Sequence, residues 1–129
     1  MVAIDTNVLV RFLTRDDKLQ HAKADKIFRT EVVFIPHTVL LETEWVLRFS
    51  YGFKADIVST AYRKLLGLSN VHIADPDLIA DAIKWHETDL DFADALHLCL
   101  SKDCKQFITF DTALIKRAKG LTGCKVRKP

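Results

Sequence analysis

The feature that most restricts how this chain can fold is a regular alternation of very short apolar runs with longer helical stretches. Val2 to Ile4, Val32 to Ile35, Val71 to Ile73, Gln106 to Thr109 and Cys124 to Arg127 read as strands. Helical patterns fill the intervals. One is capped by Asp5 or Thr6 and runs to Leu13; others cover Lys18 to Thr30, His37 to Phe49 and Lys54 to Leu66. Three more follow, from Asp75-Pro76 to about Glu87, from Asp91 to Lys102 and from Asp111 to about Lys119. Pro36, Tyr51-Gly52 and Gly67 mark stops, and Pro76 sits at a favoured first-turn position. Strands separated by helices cannot be joined by tight hairpins. Alternation of this kind therefore predicts an α/β fold, with a mostly parallel sheet covered by helices on both faces.

Length fits one domain, 1–129, since 129 residues are too few for two ordinary ones. A globule of this size removes about two-thirds of its unfolded surface from water, enough for a core without disulfides. No apolar run approaches the roughly 18 residues of a membrane span, and the N-terminus lacks the pattern of a secretory signal. Cys99, Cys104 and Cys124 are odd in number and lack metal-like spacing, which predicts a reduced, cytoplasmic protein. Net charge is only +2, but its distribution is uneven. No acid follows Asp111, whereas Lys116, Arg117, Lys119, Lys125, Arg127 and Lys128 do. Such a tail either neutralises phosphates or is a solvated helix face with a frayed end.

Four acids fall where elements start or stop among apolar neighbours: Asp5, Glu42, Asp94 and Asp111. They are far apart in sequence, so only folding can gather them. Asp5 and Asp111 each follow a strand, and open α/β sheets place ligands at that end. Each is equally a helix N-cap. Thr6 and Asn7 are candidate supports for the Asp5 carboxylate, and Thr109, two residues before Asp111, shares its strand face. Asp94 is either a dipole-stabilising acid in a first helical turn or a site residue, and Asp91, three residues earlier, shares its face. Glu42 competes with Glu44, because two positions apart on a helix point in different directions. Glu42 shares its stripe with Val39, Val46 and Phe49, whereas Glu44 has Arg48 one turn on as a ready partner. On that reasoning Glu42 is the charge harder to explain without a site. A lone charge is costly to bury; a shared divalent cation offsets that cost, and oxygen ligands suit Mg²⁺ or Mn²⁺ rather than zinc.

The blocks D-T-N-V-L-V-R-F-L, V-L-L-E-T-E-W-V-L-R, D-F-A-D-A-L-H-L and T-F-D, in this order and spacing, resemble the PIN-domain family. Within it the chain is similar to the VapC-type toxins of toxin–antitoxin pairs. The resemblance implies a three-layer α/β/α sandwich with a mostly parallel central sheet of about five strands and an acidic pocket. It implies a Mg²⁺- or Mn²⁺-dependent endoribonuclease, held off by a small antitoxin, and a homodimer. Asp5, Glu42, Asp94 and Asp111 match the family's acids, with Asp5, Asp94 and Asp111 as metal ligands. Thr6, Asn7, Asp91 and Thr109 would support them.

Other acid-dependent chemistries fit less well. A phosphatase with Asp5 as nucleophile would show an acid at position 7, where Asn7 stands, and a receiver domain needs paired acids after the first strand. A non-catalytic RNA- or partner-binding module on the same fold is the alternative from another class. His97 lies one turn after Asp94 and is either a bystander or a site residue. Trp45, Phe49, Phe53 and Tyr62 read as core or dimer-interface aromatics.

Overall fold

The computed structural model describes residues 1–129. The chain divides into two compact units, Met1–Pro76 and Asp77–Pro129. Five strands occur where the alternation places them, all in parallel pairs. The architecture is α/β.

In the first unit, β1 (Val2–Ala3), β2 (Val33–Phe34) and β3 (Val71–His72) form a sheet in the order β1-β2-β3. Val2 pairs with Val33 and Val33 with Val71, so one register runs across it. Helices α1 (Thr6–Leu13) and α2 (Lys18–Thr30) connect β1 to β2. Helix α3 (His37–Trp45), a π-helical turn (Val46–Ser50) and α4 (Ala55–Leu66) connect β2 to β3. Two-residue strands suffice because Val33 and Ile35 are fully buried under these helices. β1 differs from the buried strand expected: it is an edge, Val2 and Ala3 are exposed, and only Ile4 is buried.

Local chemistry sets the helix ends. Asp5 and Asp17 cap α1 and α2, accepting hydrogen bonds from the backbone N–H groups of Val8 and Gln20 at 3.0 Å each. Thr14 ends α1 by donating its hydroxyl to the Val10 carbonyl, and Gly67 closes α4. The expected helix from His37 to Phe49 is regular only to Trp45. Beyond it the bonding widens, Tyr51 N–H reaching Val46 O at 3.2 Å, until Gly52 turns the chain at φ 73°. The core of this unit joins Leu9, Phe28, Leu40, Leu47, Val58 and Leu65 to the sheet residues.

The second unit carries α5 (Pro76–Glu87), α6 (Phe92–Leu100), β4 (Gln106–Ile108), α7 (Thr112–Arg117) and β5 (Lys125–Arg127). β4 and β5 pair in parallel, Ile108 opposite Arg127, as a two-stranded ladder separate from the first sheet. The five strands are therefore hydrogen-bonded as three and two, not as one continuous ladder. Ile79, Ile83, Phe92, Ala95, Leu98 and Leu114 are the buried residues around which its helices pack. No helix is long and apolar enough to cross a membrane.

Candidate functional site

Asp5 lies two residues after the end of β1, exposed, with Oδ1 engaged by the Val8 N–H and Oδ2 in no hydrogen bond. It opens onto a groove of about 280 Å³ between α1 and α2, lined also by Asn7, Arg11, Gln20 and Lys23. Asn7 is exposed and Thr6 half-buried. Arg11 is committed elsewhere: its guanidinium binds Asp16 at 3.0 Å, Gln20 at 2.6 Å and the Tyr51 hydroxyl at 3.1 Å. Lys23 is exposed and has no ion-pair partner, so it leaves a positive charge on the groove that Asp5 also lines. Nothing in the sequence singled out Lys23. Arg11 stood inside the first acidic block without a role.

Glu42 is exposed on α3, whereas Glu44 is 3% exposed. This reverses the stripe argument. The core-facing stripe is Leu40, Thr43, Glu44 and Leu47, while Val39 and Val46 are only half-buried and Phe49 is exposed. Glu44 is thus the charge that burial makes costly, and Arg48 meets it at 3.3 Å, as the four-residue spacing suggested. Glu42, pointing outward, has no packing penalty to explain and is open to solvent. Of the aromatics, Tyr62 is buried and donates its hydroxyl to the Leu40 carbonyl. Trp45, Phe49 and Phe53 are instead 57%, 61% and 40% exposed.

In the second unit Asp111 repeats the arrangement of Asp5. It follows β4, its Oδ1 accepts from Ala113 N–H and Leu114 N–H at 2.9 and 3.1 Å, and Oδ2 is in no hydrogen bond. The Thr109 hydroxyl accepts from the Asp111 N–H at 3.0 Å, so Thr109 steadies the turn that presents the acid. Asp91 stands at the N-cap position of α6, but its carboxylate makes no capping hydrogen bond. Asp94, in the first turn of α6, is half-buried. Burial holds its carboxyl above the ordinary value, and the charges of Asp91 and Asp111 raise it further, against a smaller opposing effect of His97. His97 itself is exposed. Asp91 and Asp111 are therefore both within electrostatic reach of Asp94.

Thiol chemistry at Cys99 is disfavoured. All three cysteines are free, and burial, with Asp81 adding to it, pushes the Cys99 thiol up to about 11. It stays protonated and acts as a small core hydrophobe.

The PIN-domain family model matches residues 2–120, and the chain belongs to that family. No curated protein and no solved structure matches the chain. PIN domains are generally nucleases that use a divalent metal ion. The side chains here fit such an ion through their donor type. Mutually repelling carboxylates relieve their repulsion on a cation, and two of the acids keep an oxygen unengaged. The structure holds no group of three or more His, Cys, Asp or Glu side chains placed to bind a metal ion. Mg²⁺ does not demand one, because it retains several waters and takes only one or two carboxylates directly.

Proposed function

We propose that this chain is a Mg²⁺- or Mn²⁺-dependent endoribonuclease and the toxin of a toxin–antitoxin pair. The observation that carries the reading is the group of acids around Asp94, whose carboxyl is held above its ordinary value by burial first and then by the charges of Asp91 and Asp111. Such repulsion is a standing cost to the fold unless a cation is meant to sit there. In this reading Asp5, Asp94 and Asp111 hold the ion, directly or through water. When bound, the ion lowers the pKa of a coordinated water and neutralises charge developing on the phosphate. Glu42 positions the attacking water. Thr6, Asn7, Asp91 and Thr109 keep the carboxylates oriented, Thr109 through its bond to the Asp111 amide. The RNA backbone, which the acids repel, is drawn in by Lys23 on the groove that Asp5 lines and by the basic residues after Asp111.

The toxin role rests on the resemblance to VapC-type toxins, and two surfaces support partners. An open apolar groove of about 520 Å³, lined by Phe12, Leu13, Ile57, Ala61, Leu65 and Leu68, suits the apolar side of an antitoxin segment that folds on binding. An Arg or Lys on that segment would pair with the carboxylates and displace the ion. The exposed Trp45, Phe49 and Phe53 support a homodimer.

Cleavage of RNA by the purified chain with Mg²⁺, with Mn²⁺ and with EDTA, set against Asp5→Asn, tests the reading. Cleavage with metal, none with EDTA and none by Asp5→Asn is expected. Expression of the chain alone should arrest growth, and co-expression of an adjacent small reading frame should relieve it through a co-purifying complex. RNA binding without cleavage would favour a non-catalytic module.

A further inference from the structure

Phe110 is the most exposed large apolar side chain of the protein, at 83%. Its backbone is nevertheless fixed from both sides. Thr109 N–H donates to Arg127 O at 3.0 Å, extending the β4–β5 ladder by one residue. Asp111 N–H donates to the Thr109 hydroxyl, and the Asp111 carboxylate caps α7. The ring is therefore held out into solvent by a rigid turn rather than left on a loose loop. The period of two along the strand gives the reason. Phe107 and Thr109 turn inward and are half-buried, whereas Ile108 and Phe110 turn outward. No aromatic ring of this chain stacks on Phe110.

Its surroundings limit what can cover it. Thr109, Asp111 and Thr112 are its chain neighbours, and Ile108, 46% exposed, is the apolar side chain that shares its outward strand face, so the two make a small apolar strip among polar residues rather than an area the size of a protein interface. Arg127 lies opposite Ile108 in the register, and Lys125 and Lys128 are exposed on the same strand and its end. A planar apolar face beside positive charge matches an unpaired nucleotide, which offers a π-face and a phosphate together. Bases in a duplex are already stacked and present no free face.

We propose that Phe110 is a base-stacking residue that seats an unpaired nucleobase next to the phosphodiester cut at the neighbouring acids. It thereby makes the enzyme prefer single-stranded RNA at that nucleotide. The proposal rests on the ribonuclease reading above.

The test uses the full chain and a short single-stranded RNA carrying 2-aminopurine near the cleavage position. kcat/KM is measured for the wild type, Phe110→Ala, Phe110→Leu and Phe110→Trp, with melting temperature and oligomeric state as controls. Phe110→Ala should lower kcat/KM by about 10- to 100-fold, mostly through KM, at unchanged melting temperature. Trp should restore it and Leu should not, because only a π-face stacks. In Asp5→Asn, RNA binding should quench 2-aminopurine, and adding Phe110→Ala should remove the quench. Wild-type cleavage with Phe110→Ala within about two-fold of it would overturn the proposal alone, as would rescue by Leu equal to that by Trp. A changed oligomeric state with unchanged kcat/KM would assign the ring to a protein contact instead. Absence of any wild-type cleavage would overturn the ribonuclease reading and this proposal with it.

Discussion

Replacing Arg48 by Met should destabilise the protein at neutral pH without touching its chemistry. Arg48 Nη1 donates to Glu44 Oε1 at 3.3 Å, and the two side chains are 28% and 4% exposed. At that separation and an effective dielectric of about 20 the gross attraction is on the order of 5 kcal/mol, much of it offset by desolvation. Met keeps most of the aliphatic packing and takes the Arg48 charge away from a buried carboxylate. Breaking a buried pair from one side costs about 3–5 kcal/mol, and partial solvent access at Arg48 places the loss near about 3 kcal/mol. Replacing both partners is a different experiment. Arg48→Met with Glu44→Leu leaves no charge to solvate and should recover stability to within about 1 kcal/mol of wild type. Urea unfolding near neutral pH measures all three proteins. A single-variant loss under about 1 kcal/mol, or a double variant no better than the single, would refute the argument that Glu44 is a structural charge. RNA cleavage per folded molecule completes the test. Glu44→Gln should stay within a few-fold of wild type, whereas Glu42→Gln should lose most activity at unchanged stability.

Two further outcomes follow from the charged groups. Burial, then Asp91 and Asp111, hold the Asp94 carboxyl above its ordinary value, so its contribution to stability is lost as pH rises from 3.8 through the raised value. In EDTA at neutral pH Asp94→Asn should therefore melt higher than wild type, and Mn²⁺ should stabilise it less; a lower melting temperature in EDTA would contradict the crowding argument. Asp16 behaves oppositely: hydrogen bonds from Tyr51 and Thr14, then from Arg11, hold its carboxyl down at about 2. Its contribution is present above 3.8 and lost as pH falls toward about 2, so Tyr51→Phe should make acid unfolding shallower in that window, followed by circular dichroism.

Much of the fold was legible because it rests on local signals. Strand positions follow from apolar runs, and helix starts follow from Asp5 and Asp111, whose side chains bond the first-turn amides. What was not legible depends on tertiary context. The π-helical turn after Trp45 changes which residues face the core, and a regular helix drawn through Phe49 hides it. The division of five strands into ladders of three and two depends on pairing partners, which no single run encodes. Glu42 and Glu44 were separated for the wrong reason. Their flanking residues are apolar on both stripes, and only burial shows that the pair with Arg48 marks the inner one.

The acids at strand ends pose a subtler problem. Asp5 and Asp111 looked like either caps or ligands, and in the structure both are caps. Capping does not exclude the other role. Each uses only Oδ1 on its helix, and that bond fixes the carboxylate's orientation. A cap is thus a way of pre-orienting a ligand at no extra cost in side-chain entropy. Sequence could not choose between the two readings because the chemistry does not force a choice. The discriminating measurement is accordingly not the stability of Asp5→Asn, which keeps a capping oxygen and should fold normally. It is whether the variant still responds to Mn²⁺ and still cuts RNA.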